Sequence, residues 1–346
     1  MRRGIRLPPE GRRTGHHSRR RLSGNPMRFG MSLRAPVLAC LLSTAPFPAL
    51  AQTCSFSVSD VNFGSVDSLS GAAADSSGTV TASCFSGILT NVRVCLNINA
   101  GSGGSTSGTR HMLNTTLDQL DYNLYSDAAR TTPWGSREMP SLGSPVAIDF
   151  TQLLGTVEQT RTIYGRVLAN QQTAPTGTYT STFSGAEVSF NYATYLIIGS
   201  PPDCSTVTGN TTRPSFTVQA TVNPNCLVSA QDIDFGSQGV LDTAVDATGN
   251  VAATCTAGTA YTISLDNGLT GTGPTARRMT LGGAYVTYGL YKDAARSQPW
   301  GSSGGDLVTG TGTGLTENIG VYGRVPVQST PAPGTYTDTI VVTVTY

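Results

Sequence analysis

The sequence has few of the residues on which catalysis, nucleic-acid binding and metal binding depend. Only 12% of its 346 residues are charged, Lys292 is the one lysine, and histidine occurs three times. It contains no phosphate-binding glycine loop with its lysine and no CxxC pair. These absences argue against an enzyme, and we expect no cofactor and no metal site.

The amino-terminal segment has the pattern of an export signal. From Met27 a short basic region is followed by the apolar run 35–42 and by Ala49-Leu50-Ala51, which predicts a secretory signal peptide over 27–51. The apolar run is shorter than the about 20 residues that cross a bilayer, so we expect no membrane span in the mature chain. Residues 1–26, with eight arginines, are a basic leader or a start-site artefact, and we favour the artefact over a disordered or nucleic-acid-binding arm.

Removal of residues 1–51 changes the charge of the protein. Ten of the 22 basic residues and one of the 21 acidic residues are lost, which leaves 12 against 20 and a net charge of −8. An acidic chain of this kind has no electrostatic footprint for DNA or RNA. The 295 residues that remain fit two domains of about 150 residues each.

An internal repeat divides the mature chain. Residues 122–136 (YNLYSDAARTTPWGS) and 288–302 (YGLYKDAARSQPWGS) are identical at 11 of 15 positions. The motifs FGS, YGRV and GTYT surround this block in the same order in both halves, at 63–65, 164–167 and 177–180 and again at 235–237, 322–325 and 334–337. The chain therefore contains two copies of one domain.

Apolar and polar residues alternate within both copies, which is the period of half-buried β-strands, and helical periodicity is absent. With Gly, Asn, Asp and Ser turns between the strands, this pattern predicts an all-β protein of two tandem Ig-like antiparallel β-sandwich domains. We place the first domain at 52–200, a linker with one strand at 201–222 and the second domain at 223–346.

Six cysteines follow the signal peptide, an even number that predicts disulfides in an exported protein. Two pairs occupy matching places in the repeat, 30 and 29 positions apart, and two cysteines of the first copy have no counterpart. By position and by elimination we expect the bridges Cys54–Cys84, Cys226–Cys255 and Cys95–Cys204. Metal binding is the rival interpretation, but His111 is the one histidine of the mature chain.

These motifs together resemble the spore coat protein U domain. The early cysteine, FGS, the TVTASC strand, an arginine shortly before Met112 or Met279, the long YxLYxDAARxxPWGS block, YGRV and GTYT all occur in order, and they cover nearly the whole mature chain twice. The family includes subunits of archaic, Csu-type chaperone-usher pili. The resemblance implies incomplete Ig-like folds that a donated strand completes. It also implies a periplasmic chaperone, an outer-membrane usher and a neighbouring pilin as partners, and export through the periplasm to the cell surface.

A count of strands suggests a position in such a fibre. Only Gln52 and Thr53 precede Cys54 in the predicted mature chain, so its amino terminus offers no strand to a neighbour. Ahead of the second copy, SFTVQATV over 215–222 alternates, and we expect this donor-like strand to dock on the first domain of the same chain through Phe216, Val218, Ala220 and Val222. The second domain is then expected to accept a strand from the chaperone or the next subunit, in contact with Ile340, Val342, Val344 and Tyr346. Such a subunit belongs at the tip, where the family places adhesins.

Residues peculiar to the first domain are the candidates for adhesion. Exposed apolar tips suit attachment to abiotic or host surfaces by burial, and the candidates are Met112, Leu113, Met139, Leu142, Tyr195, Leu196, Ile197 and Ile198. For the run 192–198 the alternative is a last core strand that continues towards Cys204.

Other repeated residues are interpreted as structural because both copies hold them. Asp127 with Arg130, and Asp293 with Arg296, predict a turn with a salt bridge. Trp134 and Trp300 predict core or loop anchors rather than sugar-binding platforms. The sequence thus favours an adhesive pilus subunit that mediates surface attachment and biofilm formation; the alternative is a secreted spore-coat or matrix protein that enters no fibre.

Overall fold

The computed structural model describes residues 53–86, 89–151 and 155–346, so the predicted leader and signal peptide lie outside the described residues. The described chain belongs to one compact unit, Leu50–Tyr346. The described residues form strands, turns and three short 3₁₀ helices, and no α-helix. No helix of the described part is long and apolar enough to cross a membrane. The prediction of an all-β protein is confirmed.

The first repeat and the segment after it form twelve strands. They are β1 (Thr53–Val58), β2 (Val61–Val66), β3 (Ala74–Ser86), β4 (Thr90–Ile98), β5 (Ser105–Thr106), β6 (Thr109–Leu113), β7 (Gln119–Tyr125), β8 (Val146–Phe150), β9 (Gly155–Val167), β10 (Gly177–Phe183), β11 (Val188–Leu196) and β12 (Phe216–Val222), with 3₁₀ helices at Pro140–Leu142 and Gly185–Glu187. One sheet runs β1-β3-β9-β7-β6-β10-β12-β2, with β5 paired to β6, and the other runs β11-β4-β8. Buried side chains of both sheets form one core, as in a β-sandwich.

The second repeat forms eight strands. They are β13 (Cys226–Ala230), β14 (Val245–Cys255), β15 (Ala260–Leu265), β16 (Arg277–Leu281), β17 (Ala284–Tyr291), β18 (Val308–Thr311), β19 (Thr316–Val325) and β20 (Val342–Thr345), with a 3₁₀ helix at Gly304–Asp306. The order β13-β14-β19-β17-β16 repeats β1-β3-β9-β7-β6, and β18-β15-β20 repeats β8-β4-β11. The larger sheet of the second repeat therefore ends at β16, whereas the larger sheet of the first repeat continues past β6 into β10, β12 and β2.

The FGS and YGRV motifs recur together because they pack on each other. A Cβ atom added at Gly165 of YGRV would lie 2.8 Å from the ring of Phe63, and one added at Gly323 would lie 2.8 Å from the ring of Phe235. Contacts this close leave room only for glycine beneath the aromatic ring. Each repeat therefore packs its FGS segment on the long strand that carries YGRV, β9 in the first repeat and β19 in the second.

Three disulfides link the strands. Cys54–Cys84 joins β1 to β3 at directly paired positions, and Cys226–Cys255 joins β13 to β14 in the same way. The third bridge, Cys95–Cys204, ties β4 to the loop after β11.

A buried arginine and a buried tryptophan brace each core. Arg110 donates from Nε to the Asn99 carbonyl at 2.7 Å and from Nη2 to the carbonyls of Ile98 (2.9 Å) and Trp134 (2.8 Å). The indole Nε1 of Trp134 donates to the Leu96 carbonyl at 3.0 Å. Burial lowers the pKa of Arg110 to about 10, which leaves the guanidinium charged at neutral pH. The corresponding bonds in the second repeat are made by Arg277 and Trp300.

The repeated Asp-Arg turn differs from the expected one in its ion pair. The Asp127 carboxylate accepts the backbone N–H of Thr132 at 2.6 Å and so closes its own turn. Arg130 instead places Nε 3.2 Å from Asp75 of β3, and Arg166 binds the same carboxylate at 2.7 Å. The predicted pairing within the turn is wrong because backbone N–H groups already occupy the turn carboxylate. The second copy has the same arrangement, with Asp293 in the turn and Asp246 bound by Arg296 and Arg324.

Candidate functional site

In the first sandwich, β12 fills a groove between two other strands. It pairs with β10 in antiparallel register from Gly177↔Val222 to Phe183↔Phe216, and with β2 in parallel. Its four inward side chains are at most 3% exposed and belong to the core: Phe216, Val218, Ala220 and Val222. A segment that follows the first repeat thus completes that repeat's own sandwich.

Specific contacts hold both ends of β12. Phe216 stacks on Phe183 with ring centroids 4.5 Å apart, and the Asp60 carboxylate accepts the backbone N–H of Thr217 at 2.7 Å. Just beyond the other end, the Asn223 side chain donates to the Ser65 hydroxyl at 2.8 Å. These bonds fix the register of the strand in its groove.

The second sandwich has no strand in the corresponding place. The segments that match β2 and β10 are 233–238 and 334–340, and neither forms a strand, apart from an isolated bridge between Thr280 and Thr337. The match is supported by a shared contact: Tyr179 donates to the Pro175 carbonyl at 2.7 Å, and Tyr336 donates to the Ala332 carbonyl at 2.7 Å. Extended segments without a neighbour to pair with leave their backbone groups free for an incoming strand.

Between these two segments the second core is open. Two adjoining cavities of about 500 Å³ and about 470 Å³ are lined in common by Ile233, Phe235, Met279 and Tyr336. Met279, Tyr336, Ile340 and Val342 are only half-buried, whereas their first-repeat counterparts are fully buried: Met112, Tyr179, Phe183 and Val188. We call the depression between 231–238 and 334–340 the acceptor groove.

The terminal strand borders this groove only in part. Ile340 and Val342 line it, while Val344 pairs with Ile263 of β15 and packs on the second core. Tyr346 is exposed at the end of the chain. Of the four residues predicted to contact an incoming strand, the first two therefore lie where such a strand could reach them.

Two of the predicted adhesive residues are buried. Met112 lies in β6 with no exposed surface and belongs to the first core, and Leu142 of the 3₁₀ helix is 1% exposed. The prediction that they form apolar loop tips is wrong, because the first belongs to a sheet strand and the second is covered by its neighbours. Leu113 and Met139 are half-buried.

The other predicted residues are brought to the surface near the end of β11. Leu196 is 61% exposed, Ile197 47% and Ile198 91%, while Tyr195 is half-buried. Leu89, which is 63% exposed, lies beside them, since the Ile197 N–H donates to the Leu89 carbonyl at 3.2 Å. We call Leu89, Leu196, Ile197 and Ile198 the apolar patch. Sequence reasoning missed Leu89, and the one feature that could have indicated it is an apolar residue in the sequence between two strands.

One family model, one sequence relative and several solved structures are similar to this chain. A model of the Spore Coat Protein U domain matches residues 39–185 and 212–343. "Protein U" of Myxococcus xanthus is 31% identical over an alignment of 171 residues, which covers 44% of this chain and 93% of that protein. Among solved structures, one match is a chain from the pre-assembly complex of the CsuC chaperone and the CsuE tip adhesion subunit, from archaic chaperone-usher Csu pili of Acinetobacter baumannii. It aligns at 21% identity and a TM-score of 0.47, over 85% of this chain and 100% of that chain. The CupB6 tip adhesin of Pseudomonas aeruginosa aligns at 12% identity and a TM-score of 0.39, over 84% and 94% of the two chains. Because the family model matches twice and covers most of the sequence, the chain belongs to the Spore Coat Protein U domain family, with two copies of the domain.

Proposed function

We propose that this protein is an adhesive subunit of a surface pilus whose subunits are joined by donated strands, and that it lies at the tip of the fibre. The observation that carries the proposal is the contrast between two copies of one fold. The first copy has its groove filled by β12, and the second has the same groove open. A sandwich that lacks one strand exposes core side chains and unpaired backbone groups, and strand addition satisfies both.

The way in which β12 is used supports the tip position. Among the described residues, β12 is the one strand outside the two repeats, and its four inward side chains are already buried in the first sandwich. It is therefore not free to enter a neighbouring subunit. A subunit that accepts a strand through its acceptor groove and donates none ends the fibre on one side.

The proposed partners are a periplasmic chaperone, which holds the acceptor groove before assembly, an outer-membrane usher, and the next subunit. The test is coexpression of residues 52–346 with a chaperone encoded beside the protein. We expect a 1:1 complex, and aggregation or proteolysis of the second domain when the chaperone is omitted. A monomer that stays soluble and protease-resistant alone, and that captures no chaperone, would contradict the proposal.

We further propose that the apolar patch makes the contact with abiotic or host surfaces. Covering an exposed aliphatic side chain completely contributes about 1.5–3 kcal/mol, so a few such residues suffice for attachment without a specific receptor. Replacing Ile197 and Ile198 with Ser is expected to reduce binding to polystyrene strongly. Leu117→Ser and Leu269→Ser are matched controls, because these leucines are 73% and 72% exposed but lie outside the patch. An equal decrease in polystyrene binding for all variants would show instead that any exposed aliphatic residue contributes to nonspecific adsorption.

A further inference from the structure

We propose that the acceptor groove selects its incoming strand through Asp338, and that this strand carries a side-chain hydrogen-bond donor, a hydroxyl or an ammonium group, where β12 carries Val218. The inference rests on the proposed function, since it assumes that the acceptor groove receives a strand. It adds a requirement for one polar side chain to a strand that would otherwise be recognised only by its alternating apolar residues.

The first sandwich provides the template for the alignment. There β10 and β12 pair as Phe183↔Phe216, Ser181↔Val218 and Tyr179↔Ala220. In the second sandwich the corresponding positions are Ile340, Asp338 and Tyr336. Two contacts support this alignment: the tyrosine bonds described above, and the pairing of Thr337 with Thr280, which matches that of Thr180 with Leu113. Asp338 thus stands opposite the residue that replaces Val218.

The surroundings of Asp338 make that position selective. Ser181, its counterpart, has no exposed surface beneath β12, so an incoming strand is expected to cover the Asp338 carboxylate in the same way. A covered carboxylate loses its water and needs hydrogen bonds in return. None of the ion pairs among the described residues involves Asp338.

The bonds that Asp338 already makes are unequal at its two oxygens. Among the described residues, Oδ1 accepts the backbone N–H groups of Leu269 and Thr339 at 2.9 Å each, whereas Oδ2 accepts one hydrogen bond, from the Tyr288 hydroxyl at 2.8 Å. Burial, reinforced by this hydrogen bond, raises the pKa of Tyr288, so its hydroxyl remains a donor. An aliphatic residue opposite would remove water from Oδ2 without replacing it. A hydroxyl or ammonium group would supply the missing bond.

A second carboxylate sets the register of the incoming strand. Asp232 lines the acceptor groove and corresponds to Asp60, which binds the N–H of Thr217. Asp232 has no hydrogen-bond or ion-pair partner among the described residues. In β12 the residue after the bound N–H is Val218. A strand whose N–H binds Asp232 therefore presents its next side chain to Asp338.

The experiment compares synthetic peptides on residues 52–346 supplied as the complex with the chaperone, so that the second domain stays folded until a peptide replaces the chaperone in the acceptor groove. The reference is SFTVQATV, the protein's own residues 215–222, and the test peptides carry Val218→Thr or Val218→Lys. A fourth peptide, with Gln219→Lys, is the charge control, because Gln219 is on the outward face of β12. We expect the Thr and Lys peptides at position 218 to bind about tenfold tighter than the reference in fluorescence anisotropy, and the Gln219→Lys peptide to bind like the reference.

Asp338→Ser, which copies the first sandwich, is expected to abolish the preference, and Asp338→Asn is the second variant if the first does not fold. Equal binding of all four peptides to the parent protein would overturn the selection by Asp338, but it would agree with the proposal that the acceptor groove receives a strand. A preference that persists in both variants would also overturn it. Failure of every peptide to bind the parent protein and the variants would overturn the proposed function itself.

Discussion

Replacing Phe216 with Ala tests whether β12 is part of the first core. The side chain is 3% exposed, and its ring stacks on Phe183 at 4.5 Å. Truncation of a buried Phe to Ala costs about 3–5 kcal/mol, from lost burial and from the cavity left behind. Single domains are stable by about 5–15 kcal/mol. Phe216→Ala is therefore expected to remove a large share of the stability of the first sandwich and to leave that of the second unchanged.

The chain provides its own reporters for this measurement. It has two tryptophans, one in each sandwich, and neither has exposed surface. Denaturant unfolding followed by fluorescence in a Trp300→Phe background reports the first sandwich through Trp134, and a Trp134→Phe background reports the second. Thr217→Ala is the matched control, because its side chain lies on the outward face and the backbone N–H to Asp60 is kept.

A loss of less than about 1 kcal/mol in the Trp134 transition, comparable to that of Thr217→Ala, would refute the reasoning, because typical surface substitutions stay within about 0.5 kcal/mol. It would mean that the 215–222 segment leaves the groove in solution. An equal loss in both transitions would show instead that the two sandwiches unfold as one.

Two further predictions concern the ionic groups. Arg166 and Arg130 hold the pKa of Asp75 below its usual value, against a smaller opposing effect of burial, and Arg324 and Arg296 do the same for Asp246. A carboxylate whose pKa is lower in the folded than in the unfolded state stabilises the fold above about pH 4, and this stabilisation is lost as the pH falls through the folded pKa. Asp75→Asn is therefore expected to lower the free energy of unfolding in the Trp134 transition by less than about 1 kcal/mol at pH 7, and the difference from the parent protein should disappear near pH 2. A difference that grows on acidification would contradict this. Arg110→Lys removes the forked donor that binds three buried carbonyls and is expected to lower the free energy of unfolding in the Trp134 transition by about 2–4 kcal/mol. Arg277→Lys should have its effect on the Trp300 transition instead. A decrease below about 1 kcal/mol would show that the lysine or water satisfies the carbonyls.

The repeat made much of the fold predictable from the sequence. Because the same motifs occur twice, the alternation of apolar residues could be assigned to strands without an alignment, and an all-β chain with two related halves followed. The packing of Phe63 on Gly165 explains why FGS and YGRV accompany each other. That reason is spatial, so the sequence contained the motifs but not the contact between them.

The residues that sequence reasoning placed wrongly depend on pairing partners far away in the chain. Met112 reads as a loop residue because Gly and Ser surround its segment, yet β6 is held between β7 and β10 and turns the side chain into the core. Sequence reasoning noted Arg110 only as part of the repeated motif and did not predict its burial, which depends on three backbone carbonyls that converge on its guanidinium. Carbonyl groups have no sequence signature, so this contact could not be predicted.

The short connection after β12 determines how the protein carries tension. Only Asn223, Pro224 and Asn225 separate β12 from β13, so a pull on the second sandwich reaches the carboxyl end of β12 after three residues. That strand is hydrogen-bonded on both sides, to β10 and to β2. An axial load therefore acts on all these bonds in shear at once, instead of opening them one after another from an end. The strand that completes the first fold is also the tether through which a drag force on a surface-bound first sandwich would reach the rest of the fibre.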